Sequence, residues 1–67
     1  MRLLDLSDLR EMGIKYSRQH LHRLVKANKF PAPVKLGENR NAWIEAEINA
    51  YLEARVTERD AAKEQAA

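Results

Sequence analysis

The stretch YSRQHLHRL, residues 16–24, concentrates side chains that can bind metal ions or nucleic acids. His20 and His22 stand two residues apart, with arginines and a glutamine around them. Imidazoles can ligate a transition metal. Arginine and glutamine can instead form hydrogen bonds with base edges in the major groove of DNA. The segment therefore raises two hypotheses, a histidine metal site and a nucleic-acid-binding surface.

The same segment has the pattern of a short amphipathic helix. Ser17 is a good N-cap, because its hydroxyl can accept a hydrogen bond from a backbone N–H of the first turn. Leu21, Leu24 and Val25 follow at the spacing of one helical face. We predict a helix over residues 18–27, with the three apolar side chains turned toward the core.

Helical geometry argues against the metal site. Each residue turns an α-helix by about 100°, so His20 and His22 would point about 200° apart and could not chelate one ion. The sequence has no cysteine, and hence no thiolate to complete a zinc site. No catalytic motif is present, since both serines are better explained as helix N-caps. We therefore expect no metal, no cofactor and no enzymatic activity.

The face of this helix opposite the apolar residues carries basic and polar side chains and no acid. Gln19, His22 and Arg23 are predicted to contact base edges, as the N-terminal residues of recognition helices do. Contacts to phosphates or to the minor groove are predicted for Lys15, Arg18, Lys26, Lys35 and Arg40. The alternative is a basic face that is simply exposed to solvent.

The elements on either side of this helix complete a helix-turn-helix with a hairpin. Ser7 is predicted to cap a first helix over residues 7–12, which ends at Gly13 in a left-handed conformation. After the second helix, prolines exclude further helix, and alternating apolar residues predict a hairpin that pairs residues 33–36 with residues 41–43.

The predicted hairpin would form a wing beside the two helices. Lys35, Asn39 and Arg40 lie at or near its tip, where they could follow phosphates or place an arginine in the minor groove. The alternative for this arginine is a surface salt bridge to Glu38 or Glu47, which would contribute little. A tryptophan in the second strand is the natural anchor for such a hairpin.

The two large aromatic residues near the hairpin, Phe30 and Trp43, have two possible roles. They could stack on the bases of a single-stranded nucleic acid. Packing in the core is the favoured role, because so small a chain needs its large apolar side chains inside.

A closing helix is predicted from Glu45, with one apolar stripe along it. Beyond Val56 the only apolar residues are alanines, which offer no large side chain for docking. The 67-residue chain is therefore expected to form one domain over residues 1–56, followed by a charged helical or disordered tail over residues 57–67.

The charges are divided unevenly along the chain. Residues 15–40 contain seven lysines and arginines and one acid, whereas residues 44–67 contain six acids and three bases. This division favours a polyanionic partner. No apolar run is long enough to span a bilayer, and acids occur too early for a signal peptide. We expect a cytoplasmic, nucleoid-associated protein of bacterial or phage origin, with no membrane partner.

The segment GIKYSRQHLHRLVKANKFPAPVKLGENRNAWIEAEINAYL resembles the AlpA-like family of small phage and prophage DNA-binding regulators, which is related to excisionases and to the winged-helix part of MerR-like proteins. The resemblance covers residues 3–55, and its most specific parts are YSRQHLHRL, KFP, VKLG and AWIEAEI. It implies a mainly α fold with a small β-hairpin, a winged helix-turn-helix in the order helix, turn, helix, hairpin, helix. It also implies a DNA-reading element that includes Ser17, Arg18, Gln19, His20 and Arg23.

The residues and the resemblance together predict a sequence-specific, double-stranded DNA-binding protein that regulates transcription of phage, prophage or mobile-element genes. One alternative is an excisionase, a recombination directionality factor that bends attachment-site DNA for an integrase. A second alternative is a protein-interaction module that inhibits a partner. Besides double-stranded DNA, the candidate partners are an integrase and other copies of this chain bound on the DNA.

Overall fold

The computed structural model describes residues 1–66, which form three helices and a three-stranded antiparallel sheet. The elements in chain order are β1 (Leu3–Leu4), α1 (Leu6–Glu11), α2 (Arg18–Lys26), β2 (Val34–Gly37), β3 (Arg40–Ile44) and α3 (Glu45–Ala66). The predicted fold class, a mainly α winged helix-turn-helix, is confirmed.

Helix α1 is capped by an aspartate rather than by the predicted serine. The Asp5 carboxylate accepts a hydrogen bond from the Asp8 backbone N–H at 2.8 Å, and the Asp8 carboxylate accepts one from the Asp5 N–H at 3.0 Å. This reciprocal capping box satisfies two N–H groups at once. A cap at Ser7 would place Arg10 at the third helical position, and a guanidinium cannot accept the second hydrogen bond. The predicted Ser7 cap and the predicted start at residue 7 were therefore wrong.

The turn between the first two helices follows the predicted backbone conformations. Gly13 adopts a φ of +97°, a left-handed conformation that is unfavourable for residues with a side chain. The Ile14 backbone N–H then donates to the Leu9 carbonyl at 2.9 Å, and the Ile14 side chain is buried. Ile14 thus attaches the turn to the core.

Helix α2 begins where the sequence predicted and ends one residue earlier. The Ser17 hydroxyl accepts a hydrogen bond from the His20 backbone N–H at 3.1 Å, which confirms the predicted N-cap. Ala27 is the C-cap, and Asn28 follows in the left-handed region with a φ of 59°. Asparagine tolerates this conformation better than most residues do.

The sheet contains the predicted hairpin and one strand that the sequence did not predict. Val34 pairs with Ala42 between the two hairpin strands, so the hairpin is confirmed with slightly shifted bounds. On the other side of β3, Leu4 of β1 pairs with Trp43, giving the order β1-β3-β2. A two-residue strand carries no alternating pattern, and for that reason β1 could not be recognised from the sequence.

The core is built around Trp43, as predicted for the hairpin anchor. The buried apolar residues of this cluster are Leu4, Leu9, Ile14, Leu21, Phe30, Trp43 and Ile48. The Trp43 indole N–H donates to the Pro31 carbonyl at 3.0 Å. The Phe30 ring meets Trp43 and Tyr51 in edge-to-face contacts, with centroids 6.2 and 4.7 Å apart. The core role predicted for both aromatic residues is confirmed.

Helix α3 packs on this core through its first half only. Ile48 is fully buried, whereas Tyr51 and Leu52 are half-buried. The helix continues to Ala66, but the side chains of residues 57–63 are all exposed. The prediction for Ala67 lies outside the described residues. Among the described residues, no helix combines the length and the apolar composition that crossing a bilayer requires.

The aspartate cap can be tested against the serine beside it. We expect Asp5→Ala to lower the free energy of unfolding by about 1 kcal/mol, the usual effect of losing an N-cap. Ser7→Ala should stay within ~0.5 kcal/mol of the wild type, because Ser7 is exposed and makes no capping bond. Urea unfolding followed by Trp43 fluorescence measures both. Equal destabilisation by the two variants would contradict the capping assignment.

Candidate nucleic-acid interface

Helix α2 and the β2–β3 hairpin form the walls of an open groove of ≈ 890 Å³. Apolar side chains of the core, including Leu21 and Trp43, form part of its lining. Six of the residues predicted from the sequence to contact DNA line this groove, and they come from both walls: Arg18, Gln19, His22, Arg23, Asn39 and Arg40.

The other predicted contact residues lie outside the groove. Ser17 caps α2 with its hydroxyl, and His20 is half-buried on a different side of the helix. Three of these residues are lysines that are exposed but do not line the groove: Lys15, Lys26 and Lys35.

The orientation of α2 agrees with its sequence pattern, but the groove covers only part of the outward face that the pattern predicts. Leu21 is buried, and the basic and polar residues on the opposite face of the helix are all exposed: Gln19, His22, Arg23 and Lys26. However, not every residue of this outward face lines the groove. It includes Arg18, which lies one helical turn before His22, and it leaves out Lys26. The groove therefore reaches the flank of α2 next to the hairpin.

The groove also contains two carboxylates that the sequence analysis did not include. Asp5 and Asp8 line it, because the N-terminus of α1 reaches this side of the molecule. Each carboxylate accepts a backbone N–H of the capping box. The spacing Asp-x-x-Asp could have located the cap in the sequence, but only the packing of α1 brings these acids beside the arginines.

The arginines of the groove are not neutralised by ion pairs within the described part of the chain. The ion pairs there join Arg2 to Glu45 at 3.1 Å, Arg59 to Asp60 at 2.9 Å, and Arg55 to Glu58. The alternative considered for Arg40, a salt bridge to Glu38 or Glu47, is not formed among these residues. The three groove guanidiniums, Arg18, Arg23 and Arg40, are thus free to meet an external anion.

A family model described as "Prophage CP4-57 regulatory protein (AlpA)" matches residues 5–56. The chain belongs to the AlpA family. Neither a curated protein nor a solved structure matches it. The matched segment begins at the N-cap of α1 and includes both walls of the groove and the docked half of α3. The predicted resemblance is confirmed, and this AlpA-family chain is a phage or prophage regulatory protein.

The two histidines of the AlpA-family chain have separate surroundings. His22 lines the groove, whereas the His20 ring packs on Tyr16 with centroids 4.6 Å apart and the ring planes tilted by 56°. Within the described residues, no group of three or more histidines, cysteines, aspartates or glutamates is close enough to hold a metal ion. His22 is therefore the histidine that can reach a ligand in the groove.

The separation of the histidines can be tested by NMR. In Tyr16→Ala, the ring-proton resonances of His20 should shift, because the neighbouring aromatic ring is lost, while those of His22 should stay in place. Tyr16 is exposed, so the fold should survive the change. Two-dimensional spectra of both proteins, with His20→Ala for assignment, measure the effect. Equal shifts for the two histidines would contradict the observed arrangement.

Proposed function

We propose that this protein is a sequence-specific, double-stranded DNA-binding transcriptional regulator of prophage genes. In this proposal α2 is the recognition helix and the β2–β3 hairpin is the wing. The observation that carries the proposal is that arginines of α2 and of the hairpin, Arg18 and Arg40, line the same groove and have no ion-pair partner among the described residues. Guanidinium groups so arranged suit both phosphates and base edges.

The base-reading role is proposed for the groove side of α2. Arg23 can bind guanine O6 and N7 in a bidentate manner, and Gln19 can pair with adenine N6 and N7. His22 also lines the groove and can donate or accept a hydrogen bond. Arg18, in the first turn of α2, lines the same groove as the hairpin residues, and we assign it to the DNA backbone.

The phosphate-binding role is proposed for three exposed lysines on α2, on the hairpin and in the turn before α2: Lys26, Lys35 and Lys15. Such contacts determine affinity and register but not sequence preference. The acids in the groove would have the opposite effect. Asp5 and Asp8 repel phosphates, so they would weaken non-specific binding and increase the dependence on correct base contacts.

An excisionase would use the same groove, and the position of its binding site would distinguish the two roles. Footprinting on the DNA next to the gene should show protection over a promoter if the protein controls transcription. Protection confined to an integrase attachment site would instead assign it to excision. Binding to an integrase in the absence of DNA would indicate an interaction module.

The recognition helix is tested by Arg23→Ala. We expect this variant to lose about 1–3 kcal/mol of binding free energy on the specific duplex, the usual value of a bidentate contact to guanine. Its fold should survive, because Arg23 is exposed. Fluorescence anisotropy with specific and scrambled duplexes measures binding, and circular dichroism checks the fold.

The matched control for this experiment is Arg10→Ala. It removes the same charge from an exposed site on α1 that does not line the groove, so it should bind the specific duplex nearly as the wild type does. Wild-type affinity in Arg23→Ala, or an equal loss in both variants, would contradict the assignment of α2 as the recognition helix.

The phosphate contacts are tested by the dependence of affinity on salt. Wild-type affinity for DNA should fall steeply between ~50 and ~200 mM salt, because lysines and arginines that bind phosphates displace the counterions condensed on the DNA. Lys26→Ala should weaken binding to specific and scrambled duplexes alike and should lower the slope of log affinity against log salt by about 1. A loss confined to the specific duplex would mean that Lys26 contacts bases.

A further inference from the structure

Leu36, in the wing, is apolar and exposed beside the polar residues of the groove. Its exposed fraction is 54%, larger than that of any other large hydrophobic residue described except Met1. An exposed leucine is ordinary by itself. Leu36, however, lines the groove together with Asn39 and Arg40, whereas its neighbour Val34, which is also exposed, does not.

The backbone at Leu36 is irregular in a way that explains this orientation. Lys35 pairs with Asn41, and Gly37 pairs with Arg40, the residue next to Asn41 on β3. Leu36 is therefore an extra residue in β2, where the register of the hairpin shifts. Bulges of this kind bend a strand and redirect a side chain, and they occur frequently next to functional sites.

The neighbours of Leu36 have the chemistry of a minor-groove contact. Proteins that enter the minor groove combine arginine and asparagine with an aliphatic side chain that wedges between base pairs and kinks the duplex. We propose that the wing enters the minor groove and that Leu36 acts there as an apolar wedge, so that the protein bends its binding site. This proposal rests on the proposed function and adds to it the way in which the wing contacts and bends the DNA.

The occupant of this surface is DNA rather than a second copy of the chain. A protein partner that covered Leu36 would also cover the Arg40 guanidinium, which has no ion-pair partner among the described residues. It would have to place a carboxylate there, because burying an unpaired charge is unfavourable. A duplex provides phosphates to Arg40 and an apolar stack of bases to Leu36. The groove is also continuous with the face of α2 that we propose reads the DNA.

The experiment measures DNA bending by energy transfer between dyes at the two ends of a duplex that carries one specific site. The wild-type complex should be bent. Leu36→Ala should leave the duplex straighter and lower the affinity about tenfold, because the apolar contact is lost. Leu36→Gln, which keeps a side chain of comparable size but not its apolarity, should also straighten the duplex. Leu36→Met should keep the bend.

The matched control is Val34→Ala. Val34 lies on the same strand, is apolar and is 39% exposed, but it does not line the groove. This variant should bend DNA as the wild type does. Circular dichroism melting should show all four variants folded, since both positions are exposed.

An unbent wild-type complex, or an unchanged bend in Leu36→Ala and Leu36→Gln, would overturn the proposal. A defect that appears only on duplexes with two adjacent sites would also overturn it, because Leu36 would then lie between two copies of the chain. The proposed function fails separately, if the wild type binds no specific duplex or if Arg23→Ala binds it normally. Loss of binding in Arg23→Ala with an intact bend in Leu36→Ala would reject the wedge alone.

Discussion

The burial of Trp43 is the constraint on which the rest of the molecule depends. Its indole N–H is bonded to the Pro31 carbonyl, its ring meets Phe30, and its backbone pairs with Leu4. It thereby joins the sheet, the segment after α2 and the N-terminal strand. A two-stranded hairpin is marginally stable alone. Without this anchor, the hairpin would have no fixed position relative to α2, and the groove between them would not exist.

The basic residues that line the groove do not belong to the core that stabilises the fold. The ion pairs within the described residues lie at the start of α3 and from Arg55 onward along it, and none of them involves a groove arginine. No polar or charged side chain among the described residues is buried. The basic groove residues can therefore change their partners without loss of core packing, as a surface that binds a polyanion requires.

Local backbone conformations were largely predictable from single residues. Gly13 adopts the predicted left-handed conformation, and Ser17 caps α2, because these features depend on a few neighbouring atoms. The wrong N-cap at Ser7 is also explained by local interactions. Asp5 and Ser7 are both good N-cap residues and lie two positions apart. The reciprocal hydrogen bonds between Asp5 and Asp8 make Asp5 the N-cap of α1. Strand β1 was missed because a two-residue strand exists only through its partner, Trp43 and Ile44 of β3.

The sequence by itself determined the exposed basic face of α2 and the membership of the AlpA family, since helical periodicity and a contiguous motif can be read without long-range contacts. Only the tertiary structure decided which elements and side chains lie opposite that helix across the groove. The packing of the hairpin and of α1 brings Arg40, Asp5 and Asp8 to the flank of α2, and the bulge in β2 directs Leu36 into the same groove. The angles between elements result from side chains that interlock across the core, and no local pattern encodes them.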